Sequence, residues 1–336
     1  MTRFAGATWG TDLVFRLHRG WIVPSLIVVG CACLVVGSLR SSLFAQQTIS
    51  GFANGGIYAS LAVALVLIYR ATEVINFAQG ALATFTTYVA WQLIAWGLSY
   101  WLAFAGTLAI AFVGGSLVQV VAIRPVERRG NQLTVVIASI GLLILVEGST
   151  GWIWGNEIKF MPTPFPAHIY RVGGVAFSRQ DISTIAISIA SVLLLHLLFQ
   201  FTKLGLAMRA AAVRPAAARL VGIRVSWMLS LGWGLAAMLG AVAGMMAAAS
   251  PSVLLQPSMM DGILIYAFAA AVLGGLESAA GAVVGALAIG VVLNLLGSYV
   301  SWVTPQLLLP AAFVLMLIVL LVKPSGLFGR SRVSRV

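Results

Sequence analysis

Apolar stretches of about twenty residues alternate along this chain with short polar connectors. In order they are about Trp21–Leu39, Thr48–Tyr69, Val74–Trp96, Ser99–Val121, Leu133–Trp152, Ile182–Phe201, Met228–Ala249, Met259–Leu273, Ala279–Leu296 and Leu307–Val322. At about 1.5 Å per residue, a helix of twenty residues spans the roughly 30 Å hydrocarbon layer of a bilayer. The short alternating segments of a transmembrane β-barrel do not occur. The pattern predicts an all-α polytopic integral membrane protein with about ten transmembrane or re-entrant helices, folded as a single transmembrane domain over 1–336. Met259–Leu273 is short for a span, and crossing and re-entry both remain open for it.

The connectors orient the chain. Of 20 Lys and Arg in 336 residues, most fall in connectors that a ten-element topology puts on one side. They are Arg3, Arg16 and Arg19, then Arg70, the run Arg124–Arg129, Lys203–Arg224, and Lys323 with Arg330, Arg332 and Arg335. Basic residues favour the cytoplasm. Both termini (1–20 and 323–336) and the loop 202–226 are therefore expected inside, and 153–181 outside. Nine full crossings would strand the basic C-terminal tail outside. The long outer loop, with Pro162, Pro164, Pro166 and Gly173-Gly174, predicts a short hairpin across Ile169–Phe177.

Composition sharpens the class. The chain is 61% hydrophobic and 8% charged, too few charges to cover a soluble domain. The net charge of +12 sits in short connectors, which points to lipid headgroups and topology as its cause and not to nucleic acid. Cys31 and Cys33 lie inside the first apolar run and read as small core residues. His18, His168 and His196 are far apart, and neither H-E-x-x-H nor G-x-S-x-G occurs, so no metal or hydrolytic site is expected. No G-x-x-x-x-G-K-[ST] occurs either. The chain is thus expected not to be an enzyme and to bind no cofactor, and ATP-driven work would need another subunit.

Polar residues inside spans are candidates for a pathway, because each is costly in hydrocarbon. Asn54, Asn76, Gln79, Gln119, Glu147, His196 and Asn294 qualify. The plainer reading of each is an interhelical hydrogen bond. Glu147 is the sharpest, since a mid-helix carboxylate costs about 2.5–3.5 kcal/mol on insertion scales. Glu73 reads as a connector residue beside Arg70. Asn76-Phe-Ala-Gln-Gly80 concentrates two amides and a glycine where a span should begin. It predicts a helix break whose freed backbone groups line a cavity.

The stretch Thr202–Trp227 carries Lys203, Arg209, Arg214, Arg219 and Arg224 and no acid. Arginines five apart step by about 140° on a helix and form no stripe. Pro215 suits a first helical position and Gly222 a C-terminal stop. Two short helices are expected, about Leu204–Ala212 and Pro215–Val221, with small alanine faces open to a partner. The plainer reading is an inert basic loop. A possible internal repeat pairs Gly56-Ile-Tyr-Ala with Gly262-Ile-Leu-Ile-Tyr-Ala.

Several motifs in sequence order resemble the branched-chain amino acid permease family of ABC importers, on its LivH-like side. They are GGIYASLAVALVLIYRATEVINFAQGA at 55–81, TKLGLAMRAAAVRPAAARLVGI at 202–223, GLAAMLGAVAG at 234–244, AVLGGLESAAGAVVGAL at 271–287 and KPSGLFG at 323–329. The resemblance implies a permease of the bacterial cytoplasmic (inner) membrane. It implies a second, LivM-like permease, two cytoplasmic ATPases that bind the ATP and magnesium, and an extracytoplasmic binding protein. It makes 202–226 the coupling loop, with Gly205, Arg209, Arg214, Ala218, Arg219 and Gly222 toward the ATPase. It puts Asn54, Tyr58, Asn76, Phe77, Gln79 and Gly80 on the translocation pathway. Two positions depart from the family pattern: Arg214, where an acid is usual, and Ala81, where an acid often follows the glycine. The implied cargo is branched-chain or related amino acids, urea or short amides. An ion-coupled secondary transporter is the alternative and would need paired carboxylates in the membrane. An intramembrane enzyme would need a nucleophile–base pair or metal set that is not seen.

Overall fold

The computed structural model describes residues 42–165, 168–172, 174–250 and 253–329. The expected first span, Cys31, Cys33 and both terminal tails beyond these bounds lie outside the described residues. The elements are α1 (Ser42–Thr72), α2 (Gln79–Ala95), α3 (Tyr100–Val118), α4 (Arg124–Arg129), α5 (Gln132–Trp154), β1 (Ile169–Val172), β2 (Val175–Ser178), α6 (Arg179–Phe201), α7 (Lys203–Val213), α8 (Pro215–Leu220), α9 (Val225–Ala248), α10 (Asp261–Gly274), α11 (Ala279–Tyr299) and α12 (Leu308–Val322). Among the described residues seven helices are long and apolar enough to cross a bilayer.

Two of these form the centre. In α1 and α9 the most apolar stretch is 78% and 83% buried, whereas in α6 and α12 it is 11%. α1 packs most extensively on α11 and also on α9, α6 and α10. Glycine makes the α1–α11 approach possible. A Cβ at Gly51 would stand 2.7 Å from Val291 Cα, and one at Gly290 2.5 Å from Gly55 Cα. Small residues are how membrane helices gain close backbone contact when lipid offers no hydrophobic drive. Away from the basic end, Asn294 donates to the Gln47 backbone oxygen at 2.6 Å and to its Oε1 at 2.9 Å, closing the same seam.

Local chemistry explains most boundaries. α1 ends at Glu73, which has φ of 56°, outside the helical region. The Ser178 side chain accepts from Asp181 N and the Asp181 side chain accepts from Ser178 N, a capping box that starts α6. The expected hairpin is present, with Tyr170 opposite Phe177. The segment after α5 is tied to the turn before α10 by a Lys159–Leu255 bridge, and Lys159 Nζ lies 4.8 Å from the Trp91 ring centre.

Two segments differ from the expectation, and a third is as short as expected. The third span starts as a helix only at Gln79, because 73–78 is irregular. The basic run after α3 is not a loop. A π-helical turn, Gln119–Ile123, carries the helix on into α4. Pro125 lacks an N–H and its ring crowds the carbonyl four residues back, and a π turn relieves both. Finally α10 has 14 residues, about 21 Å of helix against a hydrocarbon layer of about 30 Å.

Candidate functional site

The end of the bundle that carries Arg70, Arg124, Lys203–Arg224 and Lys323 holds a compact two-helix unit. α7 starts where the Thr202 side chain accepts from Gly205 N at 3.0 Å. Arg214 (φ −141°) separates the two helices, and Pro215 opens α8. At the far end Gly222 N–H donates to Arg219 O at 3.1 Å and Ile223 N–H to Ala218 O at 3.0 Å. Gly222 has φ of 84°. This is a Schellman stop, the reason a glycine stands there.

The unit has an inner and an outer face. Inside, Ala211, Ala218 and Val225 form a small core with Ile223, Met228 and Leu229. Gly205 is buried against the end of α6, where an added Cβ would sit 2.5 Å from Phe199 Cα. Arg209 is also turned inward, and its Nη1 donates to Gln200 Oε1 at 3.2 Å. Outside, Leu220 is 89% and Val221 76% exposed, flanked by exposed Val213, Arg214 and Arg219. Of the six expected coupling residues, Arg214, Arg219 and Gly222 therefore face outward, while Gly205, Arg209 and Ala218 hold the unit together. The apolar pair Leu220–Val221 was missed because neither stands out in an apolar chain.

The expected pathway residues separate into two places. Asn76 and Gln79 are 2% and 1% exposed. Asn76 Nδ2 donates to Gln79 Oε1 at 3.3 Å, Ala78 N–H to Asn76 Oδ1 at 3.1 Å, and Gln79 Nε2 to Ala236 O on α9 at 2.9 Å. Phe77 N–H points to Ser139 Oγ on α5 at 3.4 Å. A Cβ on Gly80 would meet Leu264 and the Met260 carbonyl at the start of α10. The break exists as expected, but side chains and not a cavity take up its backbone groups. Asn54 and Tyr58 lie on α1 one helical turn apart, and Tyr58 stacks on Tyr266 of α10 with ring centres 5.3 Å apart. These two tyrosines belong to the two segments of the suspected repeat. The other polar candidates are dispersed. Gln119 Oε1 accepts from Ser230 Oγ at 2.7 Å, Asn294 holds Gln47, and His196 is exposed on α6. Glu147 is half-buried and within electrostatic range of Asp261 at the start of α10. Asp261 was missed, although a lone carboxylate beside an apolar run was a usable signal.

A cleft of about 1810 Å³ opens beside the two-helix unit. α1, α6 and α11 wall it, and Arg70, Arg209, Lys323, Glu73 and Glu277 stand at its mouth. None of the six expected pathway residues lines it. The C-terminal segment closes one side. Leu327 N–H donates to Leu273 O at 2.8 Å and Phe328 N–H to Gly274 O at 3.0 Å. Gly275 and Gly326, both at positive φ, let the two turns meet.

A bundle of membrane-length helices with a capped, partly apolar helix pair at its basic end has the form of a polytopic helical membrane protein. The sequence profile described as "Branched-chain amino acid transport system / permease component" matches residues 47–322. The chain is 30% identical over 307 residues to the high-affinity branched-chain amino acid transport system permease protein LivH of Escherichia coli K12, covering 87% of this chain and 98% of that one. It is 30% identical over 306 residues to the corresponding permease BraD of Pseudomonas aeruginosa, with the same coverage. To the probable LivH of Methanocaldococcus jannaschii it is 29% identical over 286 residues, covering 80% and 87%. The chain belongs to the branched-chain amino acid transport permease family. It is a permease component of an ABC importer and a multi-pass protein of the bacterial cytoplasmic membrane, working with a separate ATPase and a binding protein.

Proposed function

We propose that this permease admits branched-chain or related amino acids, or urea or short amides, released by an extracytoplasmic binding protein. It pairs with a LivM-like second permease on two cytoplasmic ATPases, which bind the ATP and magnesium. This chain carries out no chemistry of its own. Ten membrane elements put both termini and residues 202–226 in the cytoplasm and 153–181 outside.

One observation carries this reading: the outward face of α7–α8. Leu220 and Val221 are exposed, and along the chain they stand between the exposed cations Arg219 and Arg224, a pattern of anchor and rim that suits a protein partner. Gly205 seats α7 on the end of α6, and Val225 continues the unit into α9. A push on the outer face thus reaches one peripheral and one central helix as a rigid displacement, because close-packed interfaces shift as units. Asn54, Tyr58 and Phe77 are the residues of the proposed pathway that keep partial exposure, and Tyr266 lies against Tyr58. Asn76, Phe77, Gln79 and Gly80 serve it by holding α2, α5, α9 and α10 in register. The test is uptake and ATPase stimulation by the reconstituted importer carrying Arg219→Glu. Insertion and assembly of the permeases should persist while stimulation and uptake fall together. Unchanged stimulation would remove the helix pair from the mechanism.

Glu147 and Asp261 favour the second reading, an ion-coupled transporter, since they bring two carboxylates within range of each other inside the bundle. Uptake that persists without the ATPase, collapses with the proton gradient and is lost in Asp261→Asn would select it. The permease reading expects ATP-driven uptake to survive that substitution.

A further inference from the structure

The large cleft beside α7 has the size and the sideways opening of a lipid site and not of a small-solute pocket. Among the described residues α6 and α11 each pack on α1 but scarcely on each other, which leaves the cleft between them open sideways there. Its floor is Val63, Val66 and Leu67 of α1, and its lips, Ile189 and Leu193 of α6 and Val284 of α11, are exposed. Along α1 it runs from Gly56 to Arg70, about 21 Å of helix. That is about the depth of one leaflet with its headgroups. Its volume of about 1810 Å³ exceeds the roughly 300–1,000 Å³ of small-molecule pockets.

The mouth supplies charge. Arg70, Arg209 and Lys323 stand there with two acids, Glu73 and Glu277. Both acids have partners within the protein, and Gln132 Nε2 also donates to Glu73 at 3.4 Å. One positive charge is left over. Arg209 gives one N–H to Gln200, while its buried Nε has no partner. Nε is shielded from solvent, but the guanidinium carries five N–H donors, and as Arg209 lines the cleft, those turned to it can meet a phosphodiester oxygen, which would also neutralise the rim. Basic pockets between membrane helices are where anionic headgroups bind.

We infer that this cleft holds one anionic phospholipid, its phosphate at Arg209 with Arg70 and Lys323 around it and its acyl chains between α6 and α11. The leaflet, the cytoplasmic one, rests on the sidedness proposed above; the binding itself does not. Because Arg209 belongs to α7, the lipid would brace the helix pair on its inner side.

The experiment uses the full importer in native membranes, with a photo-reactive amino acid at Val284 on the cleft and, as control, at Val314 on the exposed face of α12. Adducts are identified by mass. The expected result is a phospholipid adduct at Val284, enriched in phosphatidylglycerol-type lipids about fivefold over Val314, which is what one cation–phosphate contact of about 1 kcal/mol delivers. The enrichment should disappear in Arg209→Gln with Lys323→Gln. A peptide adduct at Val284, from the second permease or from residues 1–40, would overturn the inference. The same lipid distribution at both positions would also overturn it. Aqueous labelling of a cysteine at Arg214 tests the sidedness separately. Labelling from outside with lipid enrichment intact would fault the topology and leave the lipid site standing.

Discussion

Two interruptions of the helical pattern look alike in sequence and have opposite fates. Asn76–Gly80 and Thr202–Trp227 both break apolar runs with polar and small residues. The first is sealed: its amides bond each other and the Ala236 carbonyl, and Gly80 abuts α10. The second is half open: it hides Ala211, Ala218 and Gly205 and presents Leu220, Val221, Arg214 and Arg219. A polar break inside a membrane protein is therefore either a joint or a surface. The joint should answer to mutation in stability, and the surface in function.

The largest effect is expected where the open unit becomes a joint. Gly205→Val would force α7 off the end of α6, at a cost of about 3 kcal/mol, the upper part of the range for overpacking. Purified protein should show a lowered melting midpoint and lose uptake. Asn76→Ala comes next. It strips the acceptor from Ala78 N–H and the donor from Gln79 Oε1, both buried, for about 2–3 kcal/mol. A melting midpoint equal to the parent's would contradict the sealed description. Gly222→Ala should cost about 1 kcal/mol, because its φ of 84° suits no L side chain well, and ATPase stimulation should weaken along with it. Smallest in stability is Leu220→Ser, within about 0.5 kcal/mol as for exposed positions. Yet ATPase affinity should fall about tenfold, or about 1.4 kcal/mol, in a titration of the partner. If Leu220→Ser destabilises the permease more than Asn76→Ala, the comparison between joint and surface fails.

Much of the local structure could be read in advance. Pro215 and Gly222 delimited α8 to within a residue or two, since each acts through its own backbone. The same holds for the hairpin at 169–178 and for the break at Asn76. Other features resisted. The run through Arg124–Arg129 suggested a loop, but a π turn absorbed Pro125. Asp261 passed unnoticed at the head of a short apolar run, and its neighbour Glu147 is 114 positions away in sequence. Gly205 and Ala218 suggested contact with a partner, because glycine and alanine suit close approach whether the approaching surface is internal or external.

The amino-acid sequence by itself determined that the chain is a polytopic helical membrane protein and where many of its caps and breaks fall. These depend on hydropathy, charge and backbone chemistry within a few residues. Only the tertiary structure decided how each helix is turned and what it touches. α1 and α6 have mean hydropathy 1.8 and 2.3, yet their apolar windows are 78% and 11% buried. In water a polar stripe would have marked the outer face of each. In a bilayer the lipid is as apolar as the protein interior, so composition leaves the rotation of a helix unmarked. The close approach of Gly51, Gly55 and Gly290, the sealing of Asn76 and Gln79, and the cleft between α6 and α11 all follow from packing between distant segments.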